Sequence, residues 1–473
     1  MKSPFSFFKL LFLLPLIVGV FGFVVVAREP FLDSVFNCVI MYVMNYEDTP
    51  PNLLVEIARW TAPLATASSV VMAASSLKRW GVSRWKYLRG NSVAVYGPDR
   101  EKDAVLAQLG RRGIDGQNRF VKAESYILMD DEPENFAFYQ SNAEQLKQHQ
   151  VYLKCESLPA QSVSDPNLKL FCPEEIAARL FWRQRDVYSL WKKSSGTLKI
   201  AFLGFGKLGE ELLCCGLQNN LFGAVQRLEY HIFGDCTAFL ATHTSLDEIS
   251  DPVFQHQEPW YDSLALIEQA DMLLVLDQPK QSALLQKLLS VTLRREIDVF
   301  SSEDPELTLL SQQERLRFVH WQTQAIDLNL LFEDTLYRRA KSINLRYCHL
   351  HNGTEETEEN SEKEWNRLDS FTRYSNISSA DYHEQRLKQM EIQGISDQAD
   401  ALSPENMELL AELEHIRWCR YHYLNNWRYG QPKNGKTKDP SQRLHTFLIP
   451  YSELSEEEKK KDRENIRVLL SMK

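Results

Sequence analysis

Long apolar runs open the chain, and short strand-length runs separated by helical periods follow them. Phe5 to Ala27 is almost wholly apolar, broken by Lys9, and its length matches a hydrocarbon core of roughly 30 Å. Leu53 to Leu77 is a second such run. It has Glu56 and Arg59 near its start and small residues such as Ala62, Ala65 and Ser68 that suit close helix packing in lipid. Phe31 to Asn45 is apolar but short for a span, which fits a re-entrant or interfacial helix. The loop between the long runs carries Arg28, Glu29, Asp33, Glu47 and Asp48, whereas Lys78, Arg79, Arg84, Lys86 and Arg89 follow Leu77. The positive-inside rule then expects a multi-pass protein of the cell inner membrane with both termini cytoplasmic.

Beyond residue 89 the period changes. Ser92 to Gly97, Tyr126 to Asp130 and Val151 to Leu153 read as buried strands, with a helical stretch near Ala104 to Leu109 and a longer helix from Pro173 to about Trp191. Leu198 to Leu203, Tyr230 to Phe233, Asp271 to Asp277, Glu296 to Phe300 and Arg317 to Trp321 repeat the pattern. Strands alternating with helices predict parallel α/β topology. The expected fold class is α/β: membrane helices over 1–89 (about 5–27 and 53–77, with the segment 31–45 between), then tandem doubly wound parallel sheets over 90–195 and 196–335. A linker with a possible worn copy of the final unit over 336–400, and a small, mostly α unit over 401–473, complete the chain.

Composition changes this picture little. The 473 residues are 44% hydrophobic and 25% charged, as in globular protein, and the net charge of -10 argues against a nucleic-acid partner, which would need clustered Lys and Arg. The eight cysteines include no CxxC pair, which fits free thiols in a reducing compartment. Cys348, His349 and His351 have no second cluster to complete a four-ligand site, so no metal is expected.

The second α/β stretch carries candidate chemistry. Leu198 to Leu213 reads LKIAFLGFGKLGEELL, an apolar strand running into Gly204, Phe205, Gly206, Lys207, Leu208 and Gly209 and then into a helix. Gly204 permits the tight turn, Gly206 admits a pyrophosphate to the backbone, and Gly209 lets helix and strand pack closely. The helix N-terminus offers unpaired N–H groups to phosphate, and Lys207 adds charge. Asp235, at the end of the next strand, stands where a ribose hydroxyl would sit. These seven residues are the expected cofactor site, for NAD or another adenine nucleotide. The first α/β stretch lacks the fingerprint, because Gly97 is followed by Pro98, Asp99 and Arg100. No acid–base constellation accompanies the glycines, so no enzyme is expected.

The acidic stretch from His351 to Lys363 reads as a solvated loop. Ser403-Pro404-Glu405 and Ser455 to Glu458 are helix starts with N-caps. Trp418, Trp427 and Tyr429 are suited to stacking on a base, and Arg417, Arg420 or Arg428 to meeting a phosphate. Alternatively, Trp418 and Trp427 fill the small core between two helices. His445 and Tyr451 complete the candidate ligand set.

Two resemblances follow from these residues. Two membrane runs before tandem Rossmann units, with GFGKLG opening the second, resemble the regulator-of-potassium-conductance (RCK) family over about residues 1–330, although no TVGYG-like filter is present. ELEHIRW, Trp427 to Gly430, Leu444-His445, Ile449 to Leu454, Glu458-Lys459 and Asp462 resemble the ryanodine-receptor (RyR) repeat over about Leu409 to Leu470. Trp365, Leu368, Arg373, Ser375 and Asn376, with the helix of Ala380 to Met390, echo its second half. The first resemblance implies a channel-like membrane protein gated by nucleotide at its cytoplasmic domains, in a homo-oligomer that is tetrameric if it forms a pore, with the bilayer and a small nucleotide as partners. The second implies a small helical module that senses nucleotides. A membrane-anchored sensor or scaffold without conduction is the alternative.

Overall fold

Glycine and alanine set how closely the first helices pack. On α1 (Pro4–Phe21) a Cβ at Gly19 would lie 2.6 Å from Cys38 Sγ of α2 (Phe31–Met41) and 3.0 Å from Ala58 Cβ of α3 (Leu53–Leu88). Phe23, Cys38, Met41, Val55, Ala58 and Ala62 form the core of this helical unit. Asn52 caps α3 through the Leu54 N–H (2.9 Å) and donates its own amide to Gly22 O (2.7 Å). The computed structural model describes residues 4–45, 52–117, 119–163, 165–194, 196–276, 281–291, 296–301, 307, 309–310, 313–332, 335–433 and 435–472. Glu47, Asp48 and Asp277 lie outside them. One unit comprises 1–92 with 121–123, and a second comprises 93–120 with 124–473.

The membrane helices are a correction. Among the described residues no helix is long and apolar enough to cross a membrane. The 18 residues of α1 rise about 27 Å before the chain passes into a π-turn at Gly22–Val26. The 36 residues of α3 are diluted by alanine, serine and threonine, and carry Glu56, Arg59 and Pro63 early on. The segment expected to be re-entrant is α2, packed into the same helical core. The membrane part of the fold class and the multi-pass inner-membrane location fall with these spans.

In the second unit, short runs of buried apolar residues form strands that helices cover on both faces. Strands β1 (Val93–Tyr96), β2 (Gly113–Asp115), β3 (Ser125–Leu128), β4 (Gln150–Lys154) and β5 (Leu168–Phe171) pair in parallel in the order β2-β1-β3-β4-β5. Strands β6 (Thr197–Leu203), β7 (Arg227–Phe233), β8 (Val253–Gln255), β9 (Met272–Val275), β10 (Ile297–Phe300) and β11 (Leu316–Val319) form a second parallel sheet, ordered β11-β10-β9-β6-β7-β8. Read from β8, this is the 3-2-1-4-5-6 order of the dinucleotide-binding fold, with its switch point between β6 and β9. Along β6, Leu198, Ile200 and Phe202 enter one core while Ala201 and Leu203 enter the other.

Helices fill the gaps: α4 (Asp99–Leu109), α5 (Glu132–Ser141), α6 (Pro173–Gln184), α7 (Gly206–Asn219), α8 (Gln281–Val291), α9 (Arg338–Asn352), α10 (Glu358–Arg367), α11 (Ser370–Gln393), α12 (Pro404–Leu424) and α13 (Glu456–Ser471). The expected helix from Pro173 to Trp191 breaks after Gln184, and a short helix, Val187–Lys193, restarts beyond it. The acidic stretch expected as a loop is helical from Glu358, because Thr357 Oγ1 accepts from the Asn360 N–H (3.2 Å).

The region read as a linker and possible worn half-repeat contributes a helix, α11, with many buried polar residues. Asp381 of α11 accepts from Arg179 Nε at 2.7 Å and from Arg183 Nε at 3.0 Å. Tyr382 donates to Leu221 O at 2.9 Å, and Arg386 pairs with Glu414 of α12. Arg179, Asp381, Arg386 and Glu414 are buried, so each of these charges requires its partner. The Arg417 and Arg386 guanidiniums outweigh the burial of Glu414 and hold its carboxyl down to about 2.

Candidate functional site

A cleft of about 820 Å³ opens inside the second unit, where α6 and α7 face α11, α12 and the short strands β13 (Lys438–Asp439) and β14 (Leu444–His445) of a small sheet completed by β12 (Arg428–Tyr429). Helical spacing builds its aromatic wall. Trp418 and His422 lie four residues apart on α12, their ring centroids 4.0 Å apart. Phe371 of α11 meets Trp427 at 5.5 Å, and His445 of β14 closes on Trp418 at 4.9 Å. Burial holds the imidazole pKa of His422 down to about 3 and that of His445 down to about 4, so both rings are neutral at physiological pH. Trp418 is half-buried, whereas Trp427 is only 6% exposed and also packs with Cys419 and Leu448, so it serves both core and cleft.

The rest of the cleft is charged. Lys438, Arg443 and the carboxylate of Asp369 line it beside the rings, and Lys438 acts on Asp369. The opposite side, from α6, α7 and the segment after β4, carries Glu156, Glu175, Glu210 and Glu211 with a single cation, Lys207, among its lining residues. Lys207 Nζ lies 2.8 Å from Glu211 and 3.9 Å from Glu210. Burial works against its charge, but Glu211 outweighs that and raises its pKa.

The structure brings Trp418, Trp427 and His445 into one cleft and puts the other candidate ligand residues elsewhere. Arg417 is buried, 2.7 Å from Glu414, and donates to Ser378. Arg420 reaches Leu217 O (2.9 Å) and Asp251 (2.7 Å), and Arg428 reaches Ser245 Oγ (2.9 Å) and Thr244 O (2.7 Å). Arg420 and Arg428 thus fasten the C-terminal segment to the second sheet. Tyr429 is exposed on β12, and Tyr451 donates to Glu408 at 2.9 Å. Phe371, His422, Lys438, Arg443 and the three carboxylates of α6 and α7 escaped the sequence reading. Of these, only the Trp418–His422 spacing carried a local signal.

The glycine loop is a second, separate place. Gly204 (φ +99°) and Gly206 (φ +60°) occupy conformations that favour glycine, at the end of β6 beside the switch point. A Cβ on Gly206 would meet nothing within 4 Å, so the backbone is open to an approaching group. A Cβ on Gly209 would lie 2.8 Å from the Phe205 ring and 3.0 Å from Leu276, which is the close packing expected of it. Leu208 is core. Lys207 turns along α7 into the cleft rather than standing over the loop. Asp235 follows β7 and accepts from the Thr237 N–H at 3.0 Å; the Thr237 side chain, with that N–H, keeps its carboxyl below the usual range. Among the described residues, no group of three or more His, Cys, Asp or Glu side chains is placed to hold a metal.

These features define an α/β protein with Rossmann-type parallel sheets. The RyR domain family model matches residues 400–472, so the chain carries a RyR domain at that end. No curated protein matches. A solved structure, L-tryptophan dehydrogenase from Nostoc punctiforme, is 11% identical and covers 71% of this chain and 88% of its own, with a TM-score of 0.25.

Three expectations are corrected. Nothing in these matches supports the RCK resemblance. The channel-like integral membrane protein, and its membrane-anchored alternative, fall with the missing spans. The expectation of no enzyme is withdrawn as well; the dehydrogenase activity named for the solved structure is that structure's own.

Proposed function

We propose that the chain is a nucleotide-binding protein whose receptor site is the cleft between α6 and α7 and the RyR domain. One observation carries the reading: Phe371, Trp418, His422 and Trp427 share a cavity of about 820 Å³ with Lys438 and Arg443. That volume suits a small ligand. An aromatic wall binds any base through its face, worth about 1–3 kcal/mol per stacked base, and an adjacent cation pair binds phosphate. A ligand between a RyR domain and a Rossmann-type helix would contact both walls and so bias the packing of the two elements.

A second reading rests on a different observation. The open backbone at Gly206 beside the switch point suits the pyrophosphate of an NAD-type dinucleotide, with Asp235 toward a ribose.

Thermal unfolding of the full chain with AMP, ADP-ribose and NAD tests both. A ligand at 100 times its dissociation constant stabilises by about 2.7 kcal/mol. The cleft reading expects Trp418→Ala and Arg443→Ala to abolish the stabilisation. Arg443 is exposed but also donates to Asn425 O at the end of α12, so the unfolding temperature of the unliganded Arg443→Ala variant is the baseline for its ligand shift. Stabilisation that survives both substitutions overturns the cleft reading.

A further inference from the structure

Two histidines of the cleft wall have their protons fixed by the backbone. His422 Nδ1 lies 2.9 Å from Trp418 O, an acceptor, so Nδ1 carries the proton and Nε2 keeps a lone pair. His445 Nδ1 lies 3.1 Å from the Phe447 N–H, a donor, so Nδ1 keeps the lone pair and Nε2 carries the proton. Both rings are neutral, which leaves each Nε2 a single role. Resting on the cleft reading, we infer that the cleft reads the edge of a base as well as its face, His422 Nε2 accepting from a donor on the base and His445 Nε2–H donating to a neighbouring acceptor. The ligand class is a nucleotide whose base sets a donor beside an acceptor, as adenine does with its 6-amino group and N7.

Both side chains are more than nine-tenths buried, His422 at 5% and His445 at 8% exposed, and both line the cleft. Among the described residues neither Nε2 has a hydrogen-bond partner. Fully enclosed atoms without a partner occur elsewhere, as at His383 Nδ1, but neither Nε2 is one of them, so both open onto the cleft. Buried polar side chains are rarely left this way. The two rings stand 5.7 Å apart and lie 4.0 and 4.9 Å from Trp418, so one planar base against that wall meets both. As cations they would attract phosphate instead, but a protonated His445 could not accept from Phe447. Phosphate falls to Lys438 and Arg443, since Asp369 on that side is occupied as the cap of α11, accepting from the Thr372 N–H at 2.7 Å.

Calorimetric titration of the full chain with AMP and with purine riboside 5′-monophosphate decides it. The second nucleotide keeps the ring nitrogens, ribose and phosphate and lacks only the 6-amino donor. AMP is expected to bind about fivefold more tightly, the effect of one neutral hydrogen bond. His422→Phe keeps the wall aromatic and removes the acceptor, so the ratio should fall to unity, chiefly through weaker AMP binding. His445→Phe removes the donor that both nucleotides use, so both should weaken by a similar factor with the ratio retained. Histidines that only pack would change both nucleotides alike in either variant. Equal affinity of the two nucleotides for the parent chain, or a ratio that survives His422→Phe, overturns the inference and leaves the cleft reading standing. Failure of both nucleotides to bind overturns the cleft reading itself.

Discussion

After β1 the chain turns at Gly97 into α4, whose first turn carries Asp99 and Glu101; after β6 it turns at Gly204 and Gly206 into α7, whose first turn carries no acid. Both turns adjoin a switch point in a parallel sheet, where open α/β folds place ligands. At the first, a Cβ on Gly97 would lie 2.9 Å from Met129 Cβ and 3.3 Å from its carbonyl carbon, so the chain leaving β3 closes the space. Lys102 adds its ammonium 2.9 Å from Asp99 and 3.3 Å from Asp115. At the second, Gly206 faces open space. The positive end of α4 is therefore already answered by its own carboxylates, and that of α7 is not. Topology supplies a crevice in both sheets, and the two differ in first-turn charge and in the space beside the turn.

The acidic character of the first sheet's side extends to Glu175, and there it has its largest expected consequence. Burial pushes this carboxyl up to about 7 from 4.5, with Arg179 opposing. Between those pH values the folded chain holds a proton that the unfolded chain has released. The contribution of Glu175 to stability is therefore fullest below pH 4.5 and is lost as pH rises through 7, by on the order of 3 kcal/mol. Glu175→Gln keeps the shape and removes the titration. Urea unfolding at pH 5.0 and 7.5 should show the variant gaining on the parent as pH rises, and a constant difference between them would show that Glu175 titrates as a surface acid.

How much of this was legible in sequence differs between the two sheets for the same reason. The glycine loop was readable because backbone needs at Gly204, Gly206 and Gly209 dictate residue type within a few positions. The strands were readable because both their faces are buried. The cleft was not. Its walls come from α6, α7, α11, α12 and β14, more than two hundred residues apart along the chain, and only Trp418, Trp427 and His445 stood out by type. The stretch 351–363 misled because its polar, acidic sequence looked solvated although it is helical from Glu358, and the burial of Arg373, Asp381, His383 and Arg386 on α11 depends on partners far along the chain. Apolar runs misled in the opposite direction at the start of the chain, where run length alone suggested spans that the helices do not supply.

The contrast between the glycines themselves gives the next effect. Gly206→Ala adds a methyl where nothing stands within 4 Å, but at φ +60°, which costs a side-chain-bearing residue about 1–2 kcal/mol of folding stability. NAD affinity by calorimetry should fall at least tenfold, about 1.4 kcal/mol, while binding in the cleft is unchanged. An NAD affinity untouched by this substitution would mean that the open loop is a turn and no more.

The smallest effect probes the closed switch point. Burial works against the Lys102 ammonium, but Asp99 and Asp115 outweigh it and raise its pKa. Asp99 is almost wholly exposed and Asp115 partly so, which limits what the pairs add to stability through solvent screening. Lys102→Met should therefore lower stability by only about 0.5 kcal/mol, read as a small fall in the urea midpoint at constant slope. It should also leave the first switch point without affinity for inorganic phosphate, because Asp99 and Glu101 remain at the head of α4 and Met129 still fills the space. Phosphate binding gained by Asp99→Asn and Glu101→Gln together would place the control in the first-turn acids; no gain from that pair would place it in the packing of Met129 against Gly97.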